Sequence, residues 1–220
     1  DSPDGKPVTD LEVVHEKLLH LLIVSDDLSW FAHEHPAIQP DASFTLKLAF
    51  PHGGDFTLFH DFTPARVGMQ VVPVDLHVEG DVPAPTPLVA NATRSEVVDG
   101  FTVELDAPSP LRSIQMQRLT FRLSKGGVPV TDLEPFLGAM GHLIVVSEDR
   151  KRFVHSHPLE LKTPAGKRPS GPDVTFQAQF PVPGLYKAWA QFQHHGRVIT
   201  APFVVKVVSP RDLLPAAPPK

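Results

Sequence analysis

Apolar residues along this chain come in short runs, spaced roughly 8–12 residues apart and separated by polar, proline- or glycine-bearing turns. Leu21-Leu22-Ile23-Val24 and Leu143-Ile144-Val145-Val146 are leucine and β-branched runs of the kind that form buried strands. Each meets a polar turn, Ser25-Asp26-Asp27 or Ser147-Glu148-Asp149, and then a second strand that ends in His-x-His-Pro. Both places therefore predict a hairpin. Residues 44–50 and 174–180 predict the next strand, 56–62 and 186–192 another, and a valine-rich strand closes each set. The elements predict an all-β protein built of antiparallel, immunoglobulin-like β-sandwiches.

The two sets are copies of one another. Residues 5–36 laid over 127–158 keep a constant offset of 122 without a gap, and 16 of the 32 positions are identical. With only two units this is a tandem duplication, not a solenoid. The predicted organisation is a first sandwich over residues 1–80, a proline-rich linker over 81–100 and a second sandwich over 101–209. Residues 210–220 read as a disordered tail. The copies differ at their starts. Two strand-like runs, Phe101-Thr102-Val103-Glu104-Leu105 and Leu119-Thr120-Phe121-Arg122-Leu123, precede the second copy, whereas only four residues precede the first. The first sandwich is thus expected to lack its N-terminal strands and to leave a sheet edge open to a protein partner.

Composition narrows the function. The formal charge of −5 and the absence of a basic block argue against nucleic acid, and no apolar run is long enough to span a membrane as a helix. There are no cysteines, which removes disulfides, thiolate metal sites and cysteine nucleophiles. The opening at Asp1-Ser2-Pro3 reads as a processed start, with a signal peptide presumed removed. Histidine stands out at 12 residues.

Six of these histidines form two equivalent triplets: His20, His33 and His35, and His142, His155 and His157. Strand alternation puts His33 and His35 on one face and Glu34 on the other. If Val24 pairs with Phe31, His20 lies opposite His35 and all three imidazoles share a face; a slip of one residue would separate them. Three neutral imidazoles within that reach suit copper or zinc. Hydrogen-bonded histidines bracing the hairpin are the alternative. For a fourth ligand, Met140 would join the second triplet if its strand extends that far, and the first could recruit His15 or His60. No repeated general base accompanies the triplets, because Glu34 and Ser156 are unmatched. His15-Glu16-Lys17-Leu18-Leu19-His20 spaces its histidines by five, not the four of a zincin helix. The reading is a non-enzymatic protein.

Pro183-Gly184-Leu185-Tyr186-Lys187-Ala188-Trp189, with His195-Gly196-Arg197-Val198 and Pro202-Phe203-Val204-Val205, resembles the closing strands of small exported bacterial sandwiches of the copper-resistance CopC and YtkA-like groups. The paired G-x-P-V-T-D-L-E, H-L and F-x-H-x-H-P pattern looks like an exported bacterial family with tandem repeats that handles metals. The resemblance implies a periplasmic or secreted setting, copper ahead of zinc, and a ligand role for His195.

Overall fold

Strand formation follows the repeat but diverges where the copies differ in length. A computed structural model of the chain describes residues 5, 7–159 and 170–213, so the expected processed start at Asp1 and residues 214–220 of the expected tail lie outside the described residues. The chain divides into two compact units between Pro87 and Leu88.

Unit 1 contains β1 (Leu19–Ser25), β2 (Phe31–Glu34), β3 (Ala37–Ile38), β4 (Phe44–Thr45), β5 (Gly54–Phe62) and β6 (Gln70–Val78). Four of these form an antiparallel sheet in the order β2-β1-β5-β6, and β3 pairs with β4. Unit 2 contains β7 (Ser95–Val98), β8 (Phe101–Asp106), β9 (Leu111–Arg112), β10 (Met116–Lys125), β11 (Val128–Pro129), β12 (His142–Ser147), β13 (Phe153–Ser156), β14 (Asp173–Gln179), β15 (Gly184–His194) and β16 (Arg197–Val208). They form two sheets: β13-β12-β15-β16-β9, and β11-β10-β8-β7 with β14 on β10. Apart from β16 with β9, the ladders are antiparallel. The molecule is all-β, and unit 2 is a sandwich.

The alternating residues of β8 and β10, among them Phe101, Val103, Leu105, Leu119, Phe121 and Leu123, are buried against Leu143, Val145, Tyr186, Phe192 and Phe203 of the facing sheet. Phe121 touches Phe176, Phe192 and Phe203 with ring centroids 5.5–5.9 Å apart. Among the described residues, unit 1 has no counterpart of β8 and β10. Its equivalent of β16 is β6, and the same inward positions carry Val72, Val74 and Leu76, which are 45%, 47% and 37% exposed. A cavity of about 390 Å³ opens there, lined by Leu11, Leu19, Phe44, Phe62, Val72 and Val74 among others.

Three expectations are corrected. The strand over 44–50 shrinks to Phe44–Thr45, because its counterpart β14 is a strand through its ladder with β10 and unit 1 has no such partner. The linker ends early: β7 lies within 81–100 and pairs with β8. The tail begins with a 3₁₀ turn over Pro210–Leu213, closed by the Asp212 N–H donating to the Ser209 carbonyl. Position 141 also reflects the missing sheet. A Cβ on Gly141 would lie 2.8 Å from the Gln191 carbonyl oxygen and 3.1–3.2 Å from Phe192 and Phe176. Unit 1 carries Leu19 there, buried, in the space that the second sheet fills in unit 2.

Candidate metal centres

The hairpin register places the histidines. Val24 pairs with Phe31 and Leu22 with His33, and Val146 pairs with Phe153 and Ile144 with His155. The loops are locked by the same device in both units. Ser25 Oγ–H donates to Asp27 Oδ1 (2.8 Å) and accepts from the Trp30 N–H (2.9 Å). Ser147 Oγ–H donates to Asp149 Oδ1 (2.5 Å) and accepts from the Arg152 N–H (2.9 Å). Continuing the ladder sets His20 opposite His35. All three imidazoles then share the sheet face opposite the one carrying Leu21 and Ile23.

A backbone carbonyl orients the innermost ring. In unit 1 a tight turn bridges Val14 and Lys17, with His15 and Glu16 at φ 45° and 66°. In unit 2 Phe136 and Ala139 are bridged around Leu137 (φ 50°) and Gly138 (φ 72°). Two consecutive positive φ angles are the signature of a type I′ turn, which glycine enters most easily. The turn brings the Val14 carbonyl 3.0 Å from His20 Nε2, and the Phe136 carbonyl 2.9 Å from His142 Nε2. A carbonyl can only accept, so Nε2 carries the proton and Nδ1 presents its lone pair.

That lone pair points at the other two rings. His20 Nδ1 lies 3.2 Å from His33 Nε2 and 3.1 Å from His35 Nε2, and His142 Nδ1 lies 3.2 Å from His155 Nε2. Within each triplet one ligand atom per histidine falls within 4.8 Å of the others. Ring-centroid separations run 5.4, 4.9 and 4.7 Å in unit 1 against 5.5, 4.8 and 4.6 Å in unit 2. Nitrogens around an ion at 2.0–2.1 Å stand roughly 3–3.5 Å apart, and the His20–His33, His20–His35 and His142–His155 nitrogen pairs, at 3.1–3.2 Å, fall in that range. His20 and His142 are buried, while His33, His35, His155 and His157 are half-buried. A backbone carbonyl accepting from the ring N–H that faces away from the ion is the common arrangement at metal-ligating histidines.

Met140, His60 and His195 lie away from the triplets, whereas His15 stays in the turn that carries the Val14 carbonyl to His20. β12 starts at His142, so Met140 is not carried onto the histidine face and packs against the core of unit 2. His60 pairs with Leu21 on the opposite face, where its Nδ1–H donates to the Val72 carbonyl (3.1 Å). His195 sits at the β15–β16 turn in a separate group. Its Nε2 and that of His194 each lie 3.1 Å from an Asp132 oxygen.

Asp61 was missed by sequence reasoning. It is the ladder partner of His20, and it is buried. Burial raises its carboxyl above the ordinary value, with His20 and His15 pulling it back down. The signal was present: placing His60 with Phe56 and Leu58 on one face of β5 sends Asp61 to the other, beside His20. Unit 2 has Gln191 at this position, paired with His142 and donating through Nε2–H to Thr200 Oγ1 (3.1 Å).

A family model described as a domain of unknown function, DUF8832, matches residues 2–80 and 96–209. The chain belongs to that family. Both DUF8832 segments contain a complete histidine triplet and its carbonyl turn. No curated protein matches the chain.

Proposed function

We propose that this DUF8832 protein is a non-enzymatic metal binder with one trihistidine centre per unit, for copper first and zinc second, working in an exported setting. The observation that carries this is the duplication of geometry. Two hairpins, one beside a second sheet and one without it, hold three imidazole nitrogens in the same arrangement, each with its inner tautomer fixed by a carbonyl. Three neutral nitrogen donors suit copper and zinc, not calcium or magnesium. Binding is favoured over hydrolysis because a shared reaction would need a shared base, and the group beside the inner histidine is Asp61 in one unit and Gln191 in the other.

A second reading has its own support. The inner histidines do hydrogen-bond to backbone carbonyls and to neighbouring rings, so each triplet could be a polar staple for the hairpin. Metal analysis and calorimetric titration of the purified chain with Cu²⁺ and Zn²⁺ separate the two. Two ions per chain are expected, and no uptake of either ion would leave the staple.

The apo protein should also respond to pH. Burial holds the His20 imidazole below its ordinary value. Between that lowered value and about 6.5 the unfolded chain binds a proton that the folded unit does not. Stability is therefore present above pH 6.5 and lost as pH falls below it. Urea midpoints of metal-free protein at pH 7.5 and 5.5 should show unit 1 weaker at the lower pH. Metal binding should weaken over the same range, because the ligands must be deprotonated.

A further inference from the structure

We infer that the two centres differ in their preference for ionic charge: Asp61 makes unit 1 the tighter site for a divalent ion, whereas unit 2, with Gln191 in that place, offers only neutral groups. The inference rests on the metal reading above and assigns a selectivity role to a residue outside the triplet.

The geometry is that of neighbouring strands. His20 and Asp61 are directly opposed on β1 and β5, as His142 and Gln191 are on β12 and β15. Opposed residues place their Cβ atoms about 4.5–5.5 Å apart. Both side chains are almost fully shielded, Asp61 at 6% exposure and Gln191 at 5%, so solvent screens the carboxylate poorly. Asp61 is not one of the three converging donors. It acts through space, next to the ring that carries the inner ligand nitrogen.

Two basic neighbours act against Asp61: His15, in the unit 1 turn, and Lys17 both disfavour positive charge at His20, and their counterparts in unit 2 are Leu137 and Ala139. Of the three, Asp61 is the one directly opposed to His20 in the strand ladder. In unit 2 the Phe136 ring stands edge-on to His142 at 5.3 Å, and Val14 holds the equivalent place in unit 1, so both turns present an apolar side chain there. Coulombic attraction scales with the ion's charge, so a carboxylate favours a dication twice as strongly, in free-energy terms, as a monocation. An amide carries no net charge and contributes only a weaker ion–dipole term.

The test uses the full chain with one centre removed at a time. His155→Ala/His157→Ala leaves the unit 1 centre, and His33→Ala/His35→Ala leaves the unit 2 centre. Zn²⁺ is titrated by calorimetry, and Cu⁺ by competition with a chromophoric chelator under anaerobic conditions. The unit 1 centre should bind Zn²⁺ at least about tenfold more tightly than the unit 2 centre. Asp61→Asn, close in shape and matched to the amide of unit 2, should weaken Zn²⁺ binding there by roughly 10–100-fold. Its effect on Cu⁺ should be markedly smaller, a split that a merely structural role would not produce. Gln191→Asp should strengthen Zn²⁺ binding in unit 2, which keeps the test independent of how Asp61→Asn folds. Equal Zn²⁺ affinities in the two single-centre proteins, together with no response to either substitution, would overturn the inference while leaving the metal reading intact. Absence of binding in both would overturn the two together.

Discussion

Replacing His33 and His35 with alanine is expected to abolish metal binding in unit 1 and to lower the stoichiometry of the chain from two ions to one. The double substitution removes the two Nε2 atoms that face His20 Nδ1 at 3.1–3.2 Å and leaves a single imidazole. One nitrogen cannot complete a copper or zinc site, since structural and catalytic zinc sites rest on at least three protein ligands. The fold should survive. Both side chains are half-buried on β2 and just beyond it, while the core of unit 1 rests on Leu21, Ile23 and Phe56. The two triplets share no residue, so unit 2 should keep its affinity. The reciprocal His155→Ala/His157→Ala protein should lose the other ion. Metal content per chain by elemental analysis after gel filtration checks both. Two ions retained after the His33/His35 change would mean that unit 1's ion sits elsewhere. Asp132, His194 and His195, whose donor atoms also lie within 4.8 Å of one another, would then be the group to remove next.

The triplets were legible because they depend on parity and repetition. A two-residue period fixes which side chains of 31–36 share a face, and the repeat states the hairpin twice, so the Val24–Phe31 register needed only one assumption. The strands β8 and β10 were legible from alternation, as residues 101–105 and 119–123 that precede the second copy. What stayed hidden depends on contacts between segments distant in sequence. Residues 44–50 have the alternation of a strand but form almost none of one, since a strand needs a ladder partner and that partner is absent. Asp61 reads as an ordinary polar residue until β5 is laid against β1. The proline-rich look of 81–100 masked β7, whose pairing with β8 is set by the turn at Asp99 and Gly100. The Val14 and Phe136 carbonyls carry no side-chain signal at all, although they decide which nitrogen of the inner histidine is open.

Phe203→Ala should destabilise unit 2 by about 3–5 kcal/mol, and Val74→Ala should cost unit 1 less than about 1 kcal/mol, although the two residues occupy the same sheet position. Phe203 pairs with Ala188 and Val74 with Leu58, one step along equivalent ladders. Phe203 is 1% exposed and packs on the Phe121 ring, so its removal opens a cavity between two sheets. Val74 is 47% exposed on a face with no sheet opposite, so truncation there removes little buried area. The chain has two tryptophans, Trp30 in unit 1 and Trp189 in unit 2, which allow the transitions to be read separately. Urea unfolding followed by fluorescence in Trp30→Phe and Trp189→Phe backgrounds reports each unit in turn. Unit 1, a four-stranded sheet whose apolar face is covered only in part, should unfold at the lower midpoint. A ligand that binds only the folded state raises that midpoint by mass action, so metal saturation should narrow the gap. A large cost for Val74→Ala would have a definite meaning: Val72, Val74 and Leu76 would be covered in solution. β6 is an edge strand whose apolar side faces outward, the kind of surface that recruits further strands. Chain concentration would then shift the midpoint of unit 1 and not that of unit 2 if the covering strand came from a second copy, and a midpoint unmoved by dilution would exclude that source.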